Sequence, residues 1–83
     1  EFVALLPDSN SDGVREVARL MLQGITQLRL PHADSPIGPW LSVSIGGASV
    51  LPTPALLPAT VLAHADTQLY QAKQEGRVRA CVA

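Results

Sequence analysis

Lys73 and Arg77 are the residues whose type and spacing most readily do chemistry. They close the run Ala65-Asp66-Thr67-Gln68-Leu69-Tyr70-Gln71-Ala72-Lys73-Gln74-Glu75-Gly76-Arg77, which reads as the end of an amphipathic helix, a glycine stop and a cation just beyond it. Two cations four residues apart can converge at a helix end and hold a polyphosphate, Arg as a planar fork and Lys as a point charge. The plain reading is that both are solvated and simply favour the negative end of the helix dipole.

Other constellations carry less. His32-Ala33-Asp34 and His64-Ala65-Asp66 hint at metal ligands. Residues two apart on a helix diverge, however, and the first pair falls in an expected loop. Ser42 and Ser44 share one strand face with no context that marks a nucleophile. Gly46-Gly47 lacks the Lys and Ser/Thr of a phosphate-binding loop. Tyr70 and Trp40 read as core or rim aromatics, and Cys81 as a small buried apolar residue. Asp66 is expected to make local hydrogen bonds on its helix.

The elements that must position these groups follow from periodicity. Phe2 to Leu6 is a short apolar run stopped by Pro7 and a polar cluster, the pattern of a buried strand and turn. Ser9 or Ser11 is the expected cap of a helix whose apolar face carries Val14, Val17, Met21, Gly24, Ile25 and Leu28, ending before Pro31. Pro31 to Pro39 reads as a loop. From Trp40 to Leu51, Leu41, Val43 and Ile45 alternate with serines, the signature of a strand, and Gly46-Gly47 marks a bulge or a close backbone approach. Pro58 suits the first turn of a second helix with Leu62, Ala65, Leu69 and Ala72 on its apolar stripe, and Gly76 its stop. Arg77 to Val82 forms a last strand. The expected order is β-α-β-α-β, an α+β chain with helices packed on a mixed sheet.

Composition narrows the function. The 83 residues bound the chain to one small domain or part of one, and 47% hydrophobic content makes it a folded rather than disordered segment. A net charge of -1 argues against a nucleic-acid duplex or an anionic membrane as partner, since both require a basic surface. One cysteine excludes an internal disulfide and suits a reducing compartment. No apolar run approaches a membrane span. Opening on Glu1 rather than Met, directly before an apolar run, the chain is expected to be a piece of a longer one.

Three signatures, in order, resemble the GGDEF domain of diguanylate cyclases. Glu1-Phe2 with Leu6-Pro7-Asp8 is similar to the end of the GGDEF or GGEEF motif and its following turn. Leu41-Ser42-Val43-Ser44-Ile45-Gly46 resembles the family's Val-Thr-Val-Ser-Ile-Gly strand. Ala65-Asp66, Leu69-Tyr70, Ala72-Lys73 and Gly76-Arg77 resemble its final helix. The resemblance runs the length of the chain and implies the C-terminal half of the domain, part of a ferredoxin-like nucleotidyl-cyclase palm built as an α/β sandwich.

The resemblance also implies a chemistry. Two GTP molecules, each held by one domain of a dimer, condense to cyclic di-GMP with loss of pyrophosphate, in bacterial cytoplasmic signalling. Mg2+ or Mn2+ neutralises phosphate charge as the ribose 3′-hydroxyl attacks the α-phosphorus. Glu1 matches the second acidic letter of the motif, next to metal and reacting hydroxyl, and so takes the catalytic and metal roles. Lys73 and Arg77 match the contacts to the terminal phosphates.

Departures from the pattern leave alternatives open. The family's Gly-Arg-Asn run reads Gly76-Arg77-Val78, and Gly47 stands where an aliphatic residue is common. The guanine-binding residues, a metal-binding Asp and the inhibitory product site belong to the half of the domain before Glu1. The 83 residues alone are therefore expected to be inactive and to bind no metal by themselves. A degenerate module that binds nucleotide or dimerises without catalysis, and a purely structural fragment, are the competing readings. Loss of the first half-domain would expose strand edges, so homodimerisation or strand-exchanged self-association is expected.

Overall fold

The structure, a computed structural model, describes residues 1–32 and 40–83. The loop expected over Pro31–Pro39, and with it Asp34 of the first His–Asp pair, lies largely outside the described residues. Four elements follow one another: α1 (Ser11–Leu28), β1 (Ile45–Gly47), α2 (Pro58–Gln74) and β2 (Ala80–Val82). The α+β class expected from the sequence holds.

Helix α1 starts where a side chain can take up an orphan amide. Asn10, with extended backbone, accepts a 2.9 Å hydrogen bond from the Gly13 N–H. Neither serine expected as the cap plays that part. The Ser9 hydroxyl donates to the Pro7 carbonyl at 3.2 Å, and that of Ser11 donates to the Ala83 carbonyl at 3.0 Å, tying the start of α1 to the end of β2. Arg15 pairs with Asp12 at 3.0 Å and Arg19 with Glu16 at 2.7 Å along the exposed face. The hydrogen bond from Arg19, then its charge, holds the Glu16 carboxyl below the ordinary glutamate range. The helix ends at Arg29, which turns left-handed at φ 48°.

The inward stripe of α1 is rotated from the expected one. Val14 and Ala18 are buried, with Val17, Leu22 and Ile25 half-buried. Met21 and Leu28 are exposed, and nothing lies within 4 Å of a Cβ built on Gly24. The i, i+4, i+8 row through Val14, Ala18 and Leu22 packs inward because small Ala18 lets the helix approach the sheet.

The first expected strand does not form. Phe2, Val3 and Leu5 are exposed, and residues 1–6 have no regular structure. A strand exists only through hydrogen bonds to a neighbour, and among the described residues none lies beside Phe2–Leu6. For the same reason the strand expected over Trp40–Leu51 is hydrogen-bonded as strand only at Ile45–Gly47. The expected mixed sheet is a parallel pair, β1 against β2, in the register Ile45↔Ala80, Gly46↔Cys81 and Gly47↔Val82. Outside it, Trp40 forms an antiparallel bridge with Pro31.

Helix α2 crosses over the pair as a β-α-β connection requires. Pro58 occupies its first turn, and the preceding Leu57 is extended at ψ 137°, as a residue before proline must be. The expected stripe is largely inward: Ala72 is fully buried at 0% exposure, Ala65 and Leu69 are half-buried, and only Leu62 turns out to solvent. Of the two readings of Gly46-Gly47, a bulge or a close backbone approach, Gly46 shows the second. A Cβ there would fall 2.6 Å from the Leu69 Cα and closer still to the Leu69 N and Ala65 O. Lacking that atom, the strand lies directly against the helix backbone.

Candidate functional site

The last three turns of α2 and the first residue of the chain share one shallow depression. Its volume is about 220 Å³, and it is lined by Glu1, Asp66, Leu69, Tyr70 and Lys73. Asp66, Leu69, Tyr70 and Lys73 fall at i, i+3, i+4 and i+7, so they project from one face of the helix. Leu69 is also the residue whose backbone receives Gly46, so the floor of the depression rests on the β1–α2 contact. The site is thus built on the best-packed junction of the fold.

Of the candidates read from the sequence, Glu1 and Lys73 are brought together at this depression. Arg77 does not line it. It lies beyond the helix end, exposed, at φ 63°. Asp66, assigned only local hydrogen bonding, lines the same depression. Its seven-residue spacing from Lys73, two helical turns, was the signal available for it. Tyr70 sits at the rim, 65% exposed.

The helix end that carries Lys73 is closed by a Schellman motif. The Arg77 N–H donates to the Ala72 carbonyl at 3.0 Å and the Gly76 N–H to the Lys73 carbonyl at 3.5 Å, with Gly76 at φ 115°. A helix C-terminus carries roughly half a negative charge, which repels a phosphate. Lys73 in the last turn and Arg77 just beyond it bring positive charge to this end, beside the Glu75 carboxylate at the cap, and the motif occupies the Ala72 and Lys73 carbonyls.

The depression also carries acidic groups. Glu1 and Asp66 are its carboxylates, and among the described residues no cluster of three His, Cys, Asp or Glu side chains could cage a metal ion. Magnesium is commonly held by one or two carboxylates, with waters and substrate phosphates completing its shell. The donor set fits that shared mode and does not fit an all-protein cage.

The remaining candidates lie elsewhere. His64 lines a second shallow depression of about 270 Å³ with Thr67, Gln68 and Ala83, whereas Asp66 lines the first, so the pair is not brought together. Cys81 is half-buried rather than buried, its Sγ 4.0 Å from a Glu75 carboxylate oxygen. No helix among the described residues is long and apolar enough to cross a membrane.

Comparison with known proteins adds one match. The family model described as diguanylate cyclase, GGDEF domain, matches residues 1–79. No curated protein matches the chain.

Proposed function

The chain belongs to the GGDEF diguanylate cyclase family, and from that membership we propose that it supplies the phosphate-holding wall of a domain that condenses two GTP molecules to cyclic di-GMP. The observation that supports this most is the shared depression of Glu1 and Lys73, an acidic and a cationic group meeting at one helix face. Lys73 and Arg77 bind the terminal phosphates and balance the charge of the pyrophosphate that leaves. Glu1 lies beside the ribose 3′-hydroxyl that attacks the α-phosphorus of the second nucleotide. Two P–O bonds form, and two pyrophosphates depart. A bound Mg2+ or Mn2+ would neutralise phosphate charge and polarise the reacting oxygens; Glu1 is the ligand this chain offers it.

The reading assigns the guanine pocket and the first acidic letter of the motif to residues before Glu1, so these 83 residues form part of the domain and are inactive on their own. Each active unit holds one GTP, which makes the working form a homodimer. Its substrate places it in the bacterial cytoplasm. The test is conversion of GTP to cyclic di-GMP by the full-length protein with magnesium, followed by chromatography, against the K73A and E1Q variants. Product from the parent that both substitutions abolish supports the assignment; undiminished product from either variant removes that residue from it.

A second reading has its own support. Val78 stands where the family has Asn, and it holds a left-handed conformation, φ 50°, that Asn adopts more readily than Val. Drift at this position favours a degenerate module that binds GTP without turning it over. Saturable GTP binding by the full-length protein with no cyclic di-GMP formed would select it.

A further inference from the structure

We infer that Arg79 is a positioning residue that holds Arg77 in place for nucleotide phosphates; this rests on the reading of Lys73 and Arg77 as phosphate ligands. Gly76, Arg77 and Val78 run consecutively at φ 115°, 63° and 50°. Left-handed backbone is costly for any residue with a Cβ, and most costly for a β-branched one, so Arg77 and Val78 keep it only where neighbours hold them.

The Arg79 guanidinium is placed to do this. Its Nε donates to the Arg77 carbonyl at 3.0 Å, while Nη1 lies 3.8 Å from the Glu75 carboxylate at the helix cap. Glu75 is itself tied to the helix by the Gln71 side-chain amide at 2.5 Å. A Cβ on Gly76 would fall 3.0 Å from Nη2, so the guanidinium passes directly over the glycine. At its backbone, the Arg79 carbonyl accepts from the Ile45 N–H at 2.9 Å, where β1 begins. One side chain thus spans the loop from the cap of α2 to the carbonyl of Arg77, from a residue fixed to the sheet. A planar fork reaches a carbonyl and a carboxylate at once; a lysine ammonium does not reproduce that pair of directions.

The test is a double-substitution cycle in the full-length protein, reading the dissociation constant of inorganic triphosphate by calorimetry with magnesium. About 0.15 M salt limits long-range charge effects to about 8 Å. R77A should weaken binding about tenfold, the loss of a charge-assisted contact. R79A should weaken it about three- to fivefold, in line with a half-exposed ion pair and hydrogen bond. In the R77A background, R79A should add nothing, because it acts only through Arg77. R79K, which keeps charge without the fork, should remain weakened, and it decides the matter alone if R79A does not fold. Wild-type affinity in R79A or R79K, or an R79A effect that multiplies undiminished onto R77A, would overturn the inference. Unchanged affinity in R77A would instead sink the phosphate reading beneath it.

Discussion

Two backbone positions set the cost of this site. Val78 carries a β-branched side chain at φ 50°, where the Cβ crowds the following carbonyl. Replacing it by Asn, which tolerates this conformation, should raise stability by about 1 kcal/mol, read as a higher urea midpoint with an unchanged slope. A lower midpoint would mean that Val78 contributes packing its 39% exposure does not suggest. Gly46 is the reverse case. Its missing Cβ leaves room for the Leu69 backbone, which has no rotamer to move aside. Gly46→Ala should therefore cost about 3 kcal/mol, the upper end of overpacking penalties. Gly24→Ala is the control: it meets nothing within 4 Å on an exposed turn of α1 and should stabilise by up to about 1 kcal/mol. Equal melting temperatures for the two variants would contradict the close approach of β1 to α2.

At the scale of elements, the start of α1 depends on Asn10. Asn10→Ala removes the side-chain acceptor of the Gly13 N–H and should cost about 1 kcal/mol, with fraying visible as faster amide exchange over the first turn. Ser9→Ala and Ser11→Ala should leave that exchange unchanged. This also shows how far the sequence could be read. Both helices, the Pro58 start, the Gly76 stop and the close approach at Gly46 were legible, because periodicity, proline and glycine act locally. That Asn10 caps α1 in place of Ser9 or Ser11 was not, since both serines are taken by partners at Pro7 and Ala83 that sequence spacing does not reveal. The strands were the least legible part. Leu41–Ile45 has a clean alternation, yet pairing needs a neighbour, and among the described residues the strand Ala80–Val82 meets it only from Ile45 onward. Of the residues lining the depression, Glu1 and Lys73 had been singled out from the sequence, Lys73 by its place before the glycine stop. That Asp66 lines the same depression was not legible from its pairing with His64 two residues away, but its spacing from Lys73, seven away, puts the two on one helix face.

The whole molecule is less compact than its length allows. Its radius of gyration is 13.8 Å, against about 12 Å for a self-contained domain of this size. Among the described residues the buried apolar side chains are Val14, Ala18 and Ala72, while Phe2, Leu5, Leu51 and Leu57 face solvent. Apolar surface of that kind, next to a two-stranded sheet with open edges, favours association. The 83-residue chain should therefore give a light-scattering mass above that of one copy at micromolar concentration, and Phe2→Ser with Leu5→Ser should lower it. A single-copy mass across the range would mean that the small core suffices.

Ala72 and Lys73 are neighbours in the chain, one the most deeply enclosed residue and the other the cation offered to solvent. A turn of helix cannot shift one without the other. If Lys73 holds phosphate as proposed, loosening the interior would blunt that grip, and a bound phosphate would in turn resist the loosening. On that proposal, affinity and folding would be two readouts of a single equilibrium.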